Sequence, residues 1–161
     1  MNLIENKERI FSQVAKAMET ANRRDQVNVI AVTKYVGIDQ AKALVDTGVC
    51  HIGENRVDKF LEKYQALKVE GLTWHLIGSL QRRKVKEVIN YVDYFHALDS
   101  MKLAQEIQKR ASHPIKCFIQ VNISGEESKH GFAPEELDAI LPELEGLDNL
   151  QIVGLMTMAP F

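Results

Sequence analysis

The sequence predicts an α/β fold in which a parallel sheet is covered by helices. Three observations predict it. Short apolar, β-branched runs recur along the chain, residues 27–34 and 115–123 among them. Between these runs, apolar residues fall at i, i+3, i+4 and i+7, the stripe of an amphipathic helix. The two patterns alternate every 20 to 30 residues or so, the rhythm of βαβ units. Strict alternation implies parallel strands with helices on the sheet faces.

A leading helix is expected from residue 3 to about residue 22, with Leu3, Ile10, Val14, Ala17, Met18 and Ala21 largely on one face. Asn22-Arg23-Arg24-Asp25 ends it. The first strand, residues 27–34, reads as buried on both faces and ends abruptly on Lys34. A lysine at that tip can face a cavity or solvent, whereas one inside the strand would be costly. Ile38, Ala41, Leu44 and Val45 make a short helix that Gly48 stops at a C′-like position. Cys50-His51-Ile52-Gly53 is a second strand. Glu54-Asn55 starts a helix striped by Val57, Phe60, Leu61 and Tyr64, and Gly71 is a turn. Residues 73–78 form the third strand, followed by a helix carrying Val85, Val88, Ile89 and Val92. Residues 94–98 are the fourth strand. Asp99 or Ser100 caps the next helix, which buries Leu103, Ala104, Ile107 and Ala111 before His113-Pro114 breaks it. Residues 115–123 are the fifth strand, and 124–131 a polar loop. Pro134 opens a helix with core face Leu137, Ile140, Leu141 and Leu144, ended by Gly146; residues 150–158 are the sixth strand.

The chain has 161 residues, 45% hydrophobic and 26% charged, which suits one globular domain over residues 1–161. A formal net charge of -2 argues against general binding to nucleic acid or a membrane surface. No apolar run reaches the roughly 18 to 20 residues needed to span a bilayer. Glu5, Lys7, Glu8 and Arg9 interrupt the apolar stretch that a signal peptide would need. Cys50 and Cys117 lack metal-type spacing and read as reduced and buried, in keeping with a cytoplasmic protein.

Two closures of the sheet compete on this pattern. One is an open doubly wound sheet; the other is a (β/α) barrel. Thr33-Lys34-Tyr35-Val36-Gly37 contains no G-x-G-x-x-G, which weakens a dinucleotide-binding sheet. A full (β/α)8 barrel needs eight strands and typically about 250 residues. About six strands are visible, so a barrel would be incomplete. No H-E-x-x-H, paired C-x-x-C, Walker loop or G-x-S-x-G occurs, so zinc-peptidase, P-loop and serine-hydrolase chemistry fall away.

In parallel α/β folds the carboxyl ends of the strands hold ligands. Lys34 stands at such an end, as a Schiff-base nucleophile, a phosphate ligand or a plain surface charge. Apolar neighbours such as Ala31, Val32 and Tyr35 would favour the neutral, nucleophilic amine. Asn55 is either a ligand contact or a helix N-cap. Glu54 at a helix start is favoured by the dipole whatever its function. His75, inside an apolar strand, is either a ligand or a satisfied core histidine. Gly78 would let backbone approach a ligand closely. Arg82-Arg83-Lys84 is either an anion patch or a solvated helix face. Lys129 and His130, in the polar loop, could meet an anion. Met156 and Met158 at a strand tip could pack on a flat ring or fill the core.

Taken together, Ala31-Val32-Thr33-Lys34, His51-Ile52-Gly53-Glu54-Asn55, residues 74–81, Val121-Asn122-Ile123-Ser124 with Ser128-Lys129-His130-Gly131, and Gly154-Leu155-Met156-Thr157-Met158 resemble the YggS-type pyridoxal-phosphate homeostasis proteins. The resemblance runs from the first helix to the last residue. It implies the (β/α)8 TIM-barrel type of the alanine racemase N-terminal domain, here incomplete, with about six parallel strands and an N-terminal helix. It implies that Lys34 holds pyridoxal 5′-phosphate (PLP) as a Schiff base, with Asn55, His75 and Met156 around the cofactor ring. The family continues for roughly a quarter more chain. By resemblance, that part carries the phosphate- and ring-nitrogen-binding residues, which are therefore expected beyond Phe161. An open barrel would also expose the edges of the first and sixth strands and invite self-association, giving a monomer or a weak dimer.

The function implied is cytoplasmic PLP homeostasis and delivery to PLP-dependent apo-enzymes, without turnover. An amino-acid racemase is the alternative. It needs acid/base groups on both faces of the cofactor, and in the racemases that resemble this barrel the second base involves a partner subunit and a C-terminal β-domain. A cofactor-free Schiff-base aldolase fits less well, since its lysine normally lies on a later strand.

Overall fold

The computed structural model describes residues 2–126 and 130–160. Six parallel strands, β1 (Ala31–Val32), β2 (His51–Glu54), β3 (Thr73–Leu76), β4 (Tyr94–Leu98), β5 (Ile115–Gln120) and β6 (Leu150–Met156), form one sheet among the described residues. They alternate with α2 (Ile38–Asp46), α3 (Val57–Ala66), α4 (Val85–Val88), α5 (Met101–Arg110) and α6 (Leu137–Glu145), after a leading helix α1 (Leu3–Thr20). Short 3₁₀ turns at Arg82–Lys84, Ile89–Tyr91 and Pro134–Glu136 flank α4 and precede α6. No described helix is long and apolar enough to cross a membrane.

Strand order decides between the two closures. The strands lie in sequence order, β1-β2-β3-β4-β5-β6, and each neighbouring pair is parallel. Every crossover therefore advances the sheet the same way. A doubly wound sheet reverses direction at a switch point, and this one does not. The architecture is that of a (β/α) barrel, open between β1 and β6 among the described residues.

Alternation along the strands separates two layers. One set of side chains, Ile52, Leu76, Phe95, Cys117 and Ile119, is fully buried with helix residues Phe60, Val88, Ile107 and Leu144. The other set points to the concave side: the rings of His51, His75, Tyr94, His96 and Phe118 contact one another from strand to strand. Helix ends follow local chemistry. Gly48 has φ of +100°, the left-handed position after α2. Ser100 Oγ accepts from Leu103 N at 3.2 Å and caps α5. Ser100→Ala is expected to cost about 1 kcal/mol, read as a lower urea midpoint with unchanged slope.

Several expectations are corrected. The first strand is not buried on both faces. Its ladder is confined to Ala31 and Val32, and Val32 is 51% exposed. The cause is tertiary: among the described residues β1 has a neighbour on one side only. Helix α1 is amphipathic but buries no residue completely. The helix expected around Val85–Val92 holds α geometry only over Val85–Val88, and Val92 is already extended. Glu54 is the last residue of β2, not a helix start; α3 begins at Val57. Cys117 is buried, and burial pushes its thiol up to about 12. Cys50 is exposed, because it lies in the approach to β2. Both cysteines are free.

Candidate functional site

A cleft of ≈490 Å³ opens at the carboxyl ends of the strands. Each strand contributes to it. Lys34 follows β1, Asn55 follows β2, and Ile77-Gly78-Ser79 follow β3. Ala97 comes from β4, Gln120 from the end of β5 and Met156 from the end of β6, with Met158 beyond it. His130 enters from the loop after β5. The size suits a small organic ligand, and so does a mostly apolar wall with a few convergent polar groups.

Lys34 is half-buried, with Nζ 5.1 Å from the centroid of the Tyr35 ring. Tyr35 is 90% exposed, so it and Val32 do not enclose the amine as the sequence suggests. Asn55 lines the cleft and does not cap α3; the N-cap position is Arg56, which makes no side-chain cap bond. Met156 lines the same cleft. His75 does not. It is 3% exposed, and both ring nitrogens are engaged: Nε2 lies 2.9 Å from His51 Nδ1, and Nδ1 lies 2.9 Å from His96 Nε2. Its environment is the satisfied core histidine. Lys129 lies outside the described residues. Arg82 and Arg83 are exposed, as on a solvated face.

Close packing of β2 and β3 fixes Asn55. A Cβ on Gly78 would collide with Asn55 O and lie 2.9 Å from Asn55 Cβ. The obstruction is backbone and cannot be relieved by a side-chain turn. Gly78→Ala is therefore expected to displace Asn55 and destabilise the chain by about 1–3 kcal/mol, measured as a shift in urea midpoint.

Beneath Lys34 lies a charged cluster that local sequence does not reveal. Glu54 and Lys63 are buried to 0% and 3% side-chain exposure, with Nζ 2.8 Å from Oε2. Lys63 Nζ also donates to the carbonyl of Thr33, and Thr33 Oγ1 donates to Glu54 Oε2. At the cleft rim, His130 Nδ1 stands 3.7 Å from Asp99 Oδ2. Burial raises the Asp99 carboxyl above its usual range, and the facing His130 opposes the rise. Gln120 is a cleft residue the sequence reading missed. Its signal was available: a polar side chain that closes the apolar run Cys117-Phe118-Ile119 at the end of the strand. A hollow of similar size, ≈480 Å³, is lined by Tyr64, Leu67, Trp74 and Tyr91 among others, but it lies away from the strand tips.

The family described as alanine racemase, N-terminal domain, matches residues 6–161. The chain belongs to that family. Within it, the pyridoxal phosphate homeostasis protein of Aquifex aeolicus is 39% identical over 165 aligned positions, which cover 100% of this chain and 72% of the relative. The protein of the same name from Synechocystis is 35% identical, over 94% of this chain and 71% of the relative. This chain is thus a member of the pyridoxal phosphate homeostasis protein family, spanning about 70% of these relatives' length. Among solved structures, PipY of Synechococcus elongatus with PLP bound superposes with a TM-score of 0.83 at 30% identity, covering 99% of this chain and 71% of PipY. An alanine racemase of Clostridium difficile superposes with a TM-score of 0.67 at 20% identity, covering 85% of this chain and 37% of that one; the likeness is one of fold.

Proposed function

We propose that the chain binds PLP in the cleft at the strand tips, holds it as a Schiff base on Lys34, and serves intracellular PLP homeostasis and delivery to apo-enzymes without turnover of its own. The observation that carries this reading is convergence. Six strand ends separated in sequence bring one half-buried amine, Lys34, together with Asn55 and Met156 in one cleft. Relatives named for PLP homeostasis, and PipY with PLP bound, support it.

The residues present fit the cofactor. PLP supplies an electrophilic aldehyde on a flat aromatic ring when bound. Lys34 Nζ is the amine that lines the cleft among the described residues. Asn55 offers both an amide donor and a carbonyl acceptor to polar substituents at a ring edge. Met156 offers a polarisable thioether that packs on an aromatic ring. Ile77 and Ala97 add apolar wall and keep water from part of the site. His75 is not assigned to direct contact, since its nitrogens are spent on His51 and His96.

The test is borohydride reduction of the PLP-treated chain, followed by intact mass and peptide mapping. One adduct, on the peptide containing Lys34, is expected. No adduct, or an adduct elsewhere, would overturn the reading. Racemase assays with several L-amino acids are expected to show no robust turnover.

A further inference from the structure

We infer that the buried Glu54–Lys63 pair, acting through Thr33, positions Lys34 for its reaction with the cofactor aldehyde. The inference rests on Lys34 being the PLP lysine. Glu54 and Lys63 do not line the cleft, so they are positioning residues and not cofactor contacts.

Three features carry it. First, β1 is a poor anchor by itself. Its ladder holds two residues, paired on one side only among the described residues, and ends at Val32 opposite Gly53. Lys34 lies two residues beyond. Second, each hydrogen-bonding group of Thr33 is tied. Its N–H donates to Gly53 O at 3.0 Å, its hydroxyl donates to Glu54, and its carbonyl accepts from Lys63 Nζ and from Val36 N at 3.2 Å. The carbonyl held by Lys63 belongs to the peptide group that joins Thr33 to Lys34. Fixing that plane fixes where the Lys34 side chain begins. Third, the pair has little to recommend it as a source of stability. Both charges are stripped of water, and an apolar pair of the same shape is often as stable. Glu54 Oε1 has no hydrogen-bond partner among the described residues, and Oε2 carries both bonds of the cluster. A costly buried pair whose bonds converge on the residue before the nucleophile is suited to fixing geometry. The result is a tie from α3, across the end of β2, to the tip of β1.

Misplacement by about 1 Å of a reacting group can slow a reaction about a hundredfold. The experiment compares Thr33→Val, which keeps shape and removes the hydroxyl, with Thr33→Ser, which keeps the hydroxyl. A double variant, Glu54→Gln with Lys63→Met, removes both charges together and avoids leaving one buried and unpaired. Each is mixed with PLP. The readouts are the rate of borohydride-trappable adduct at Lys34, the pH at which the near-visible absorbance titrates, and the urea midpoint. Thr33→Val and the double variant are expected to load Lys34 about ten- to a hundredfold more slowly, with a shifted titration, while Thr33→Ser loads close to the wild-type rate. Folded Thr33→Val that loads at the wild-type rate with an unshifted titration would overturn the inference. If the double variant does not fold, the Thr33→Val and Thr33→Ser pair decides. A wild-type chain that gives no Lys34 adduct would instead overturn the PLP reading itself, and the positioning role with it.

Discussion

Lys34→Ala is expected to abolish the borohydride-stable PLP adduct and to weaken PLP binding by about a hundredfold or more, some 2.7 kcal/mol. Among the described residues the cleft offers no substitute amine. Lys63 reaches the carbonyl of the preceding residue, Thr33, but it is 2% exposed and committed to that carbonyl and to Glu54. Stability should hardly change, because the aromatic contact of the Lys34 ammonium is with Tyr35, which is itself exposed. Lys34→Arg sharpens the test. It keeps a positive charge at the strand tip but supplies no amine of comparable nucleophilicity. If Lys34 acted only as an electrostatic attractor of the phosphate, Lys34→Arg would retain most of the affinity. Covalent holding predicts that both variants lose the adduct. An adduct surviving in Lys34→Ala would remove Lys34 from the mechanism.

Much of this site was legible in the sequence, for a definite reason. In a parallel sheet the strand tip is a chemical boundary, and apolar runs that stop on polar residues mark it. Lys34, Asn55 and Met156 each sit just at or past such a stop, and the structure places them in one cleft. Barrel against doubly wound sheet was not legible from periodicity, because both have the same alternation and differ only in the direction of successive crossovers. Glu54 was misread because it had a sufficient local explanation, the dipole of a following helix. Its real partner, Lys63, is nine positions away on the next helix, and the pairing exists only through space. Burial of β1 failed for a related reason. An apolar β-branched run encodes a wish to be covered, but coverage depends on neighbours that the run does not specify. Val32, at 51% exposure, keeps the composition of a buried strand at an edge of the sheet.

The concave face yields the second large effect, on acid stability. His51, His75 and His96 are linked by two nitrogen–nitrogen contacts of 2.9 Å across β2, β3 and β4. Burial, and then the neighbouring His96 and His51, pull the His75 imidazole down to about 3 from its ordinary 6.5. Burial lowers His96 as well, and lowers His51 against the opposing charge of Asp93. Below the ordinary histidine value the unfolded chain therefore binds protons that the folded chain refuses. The sign follows: the contribution is fully present above about pH 6.5 and is lost progressively as pH falls toward 3. Each pH unit in that window costs about 1.4 kcal/mol for one such group, so His75 alone removes some 2–3 kcal/mol between pH 6.5 and about 4.5. His75→Phe isolates the contribution of this imidazole. A phenyl ring can retain the stacking on Tyr94, whose centroid lies 4.6 Å from that of His75 at an interplanar angle of 12°. It cannot titrate. The variant should be less stable than wild type at neutral pH, since it takes a partner from His51 and from His96. Its stability should also fall less steeply on acidification. Urea midpoints measured from pH 7.5 to 4.5 check this: parallel pH profiles for the two proteins would show that the buried ladder is not the source of acid lability.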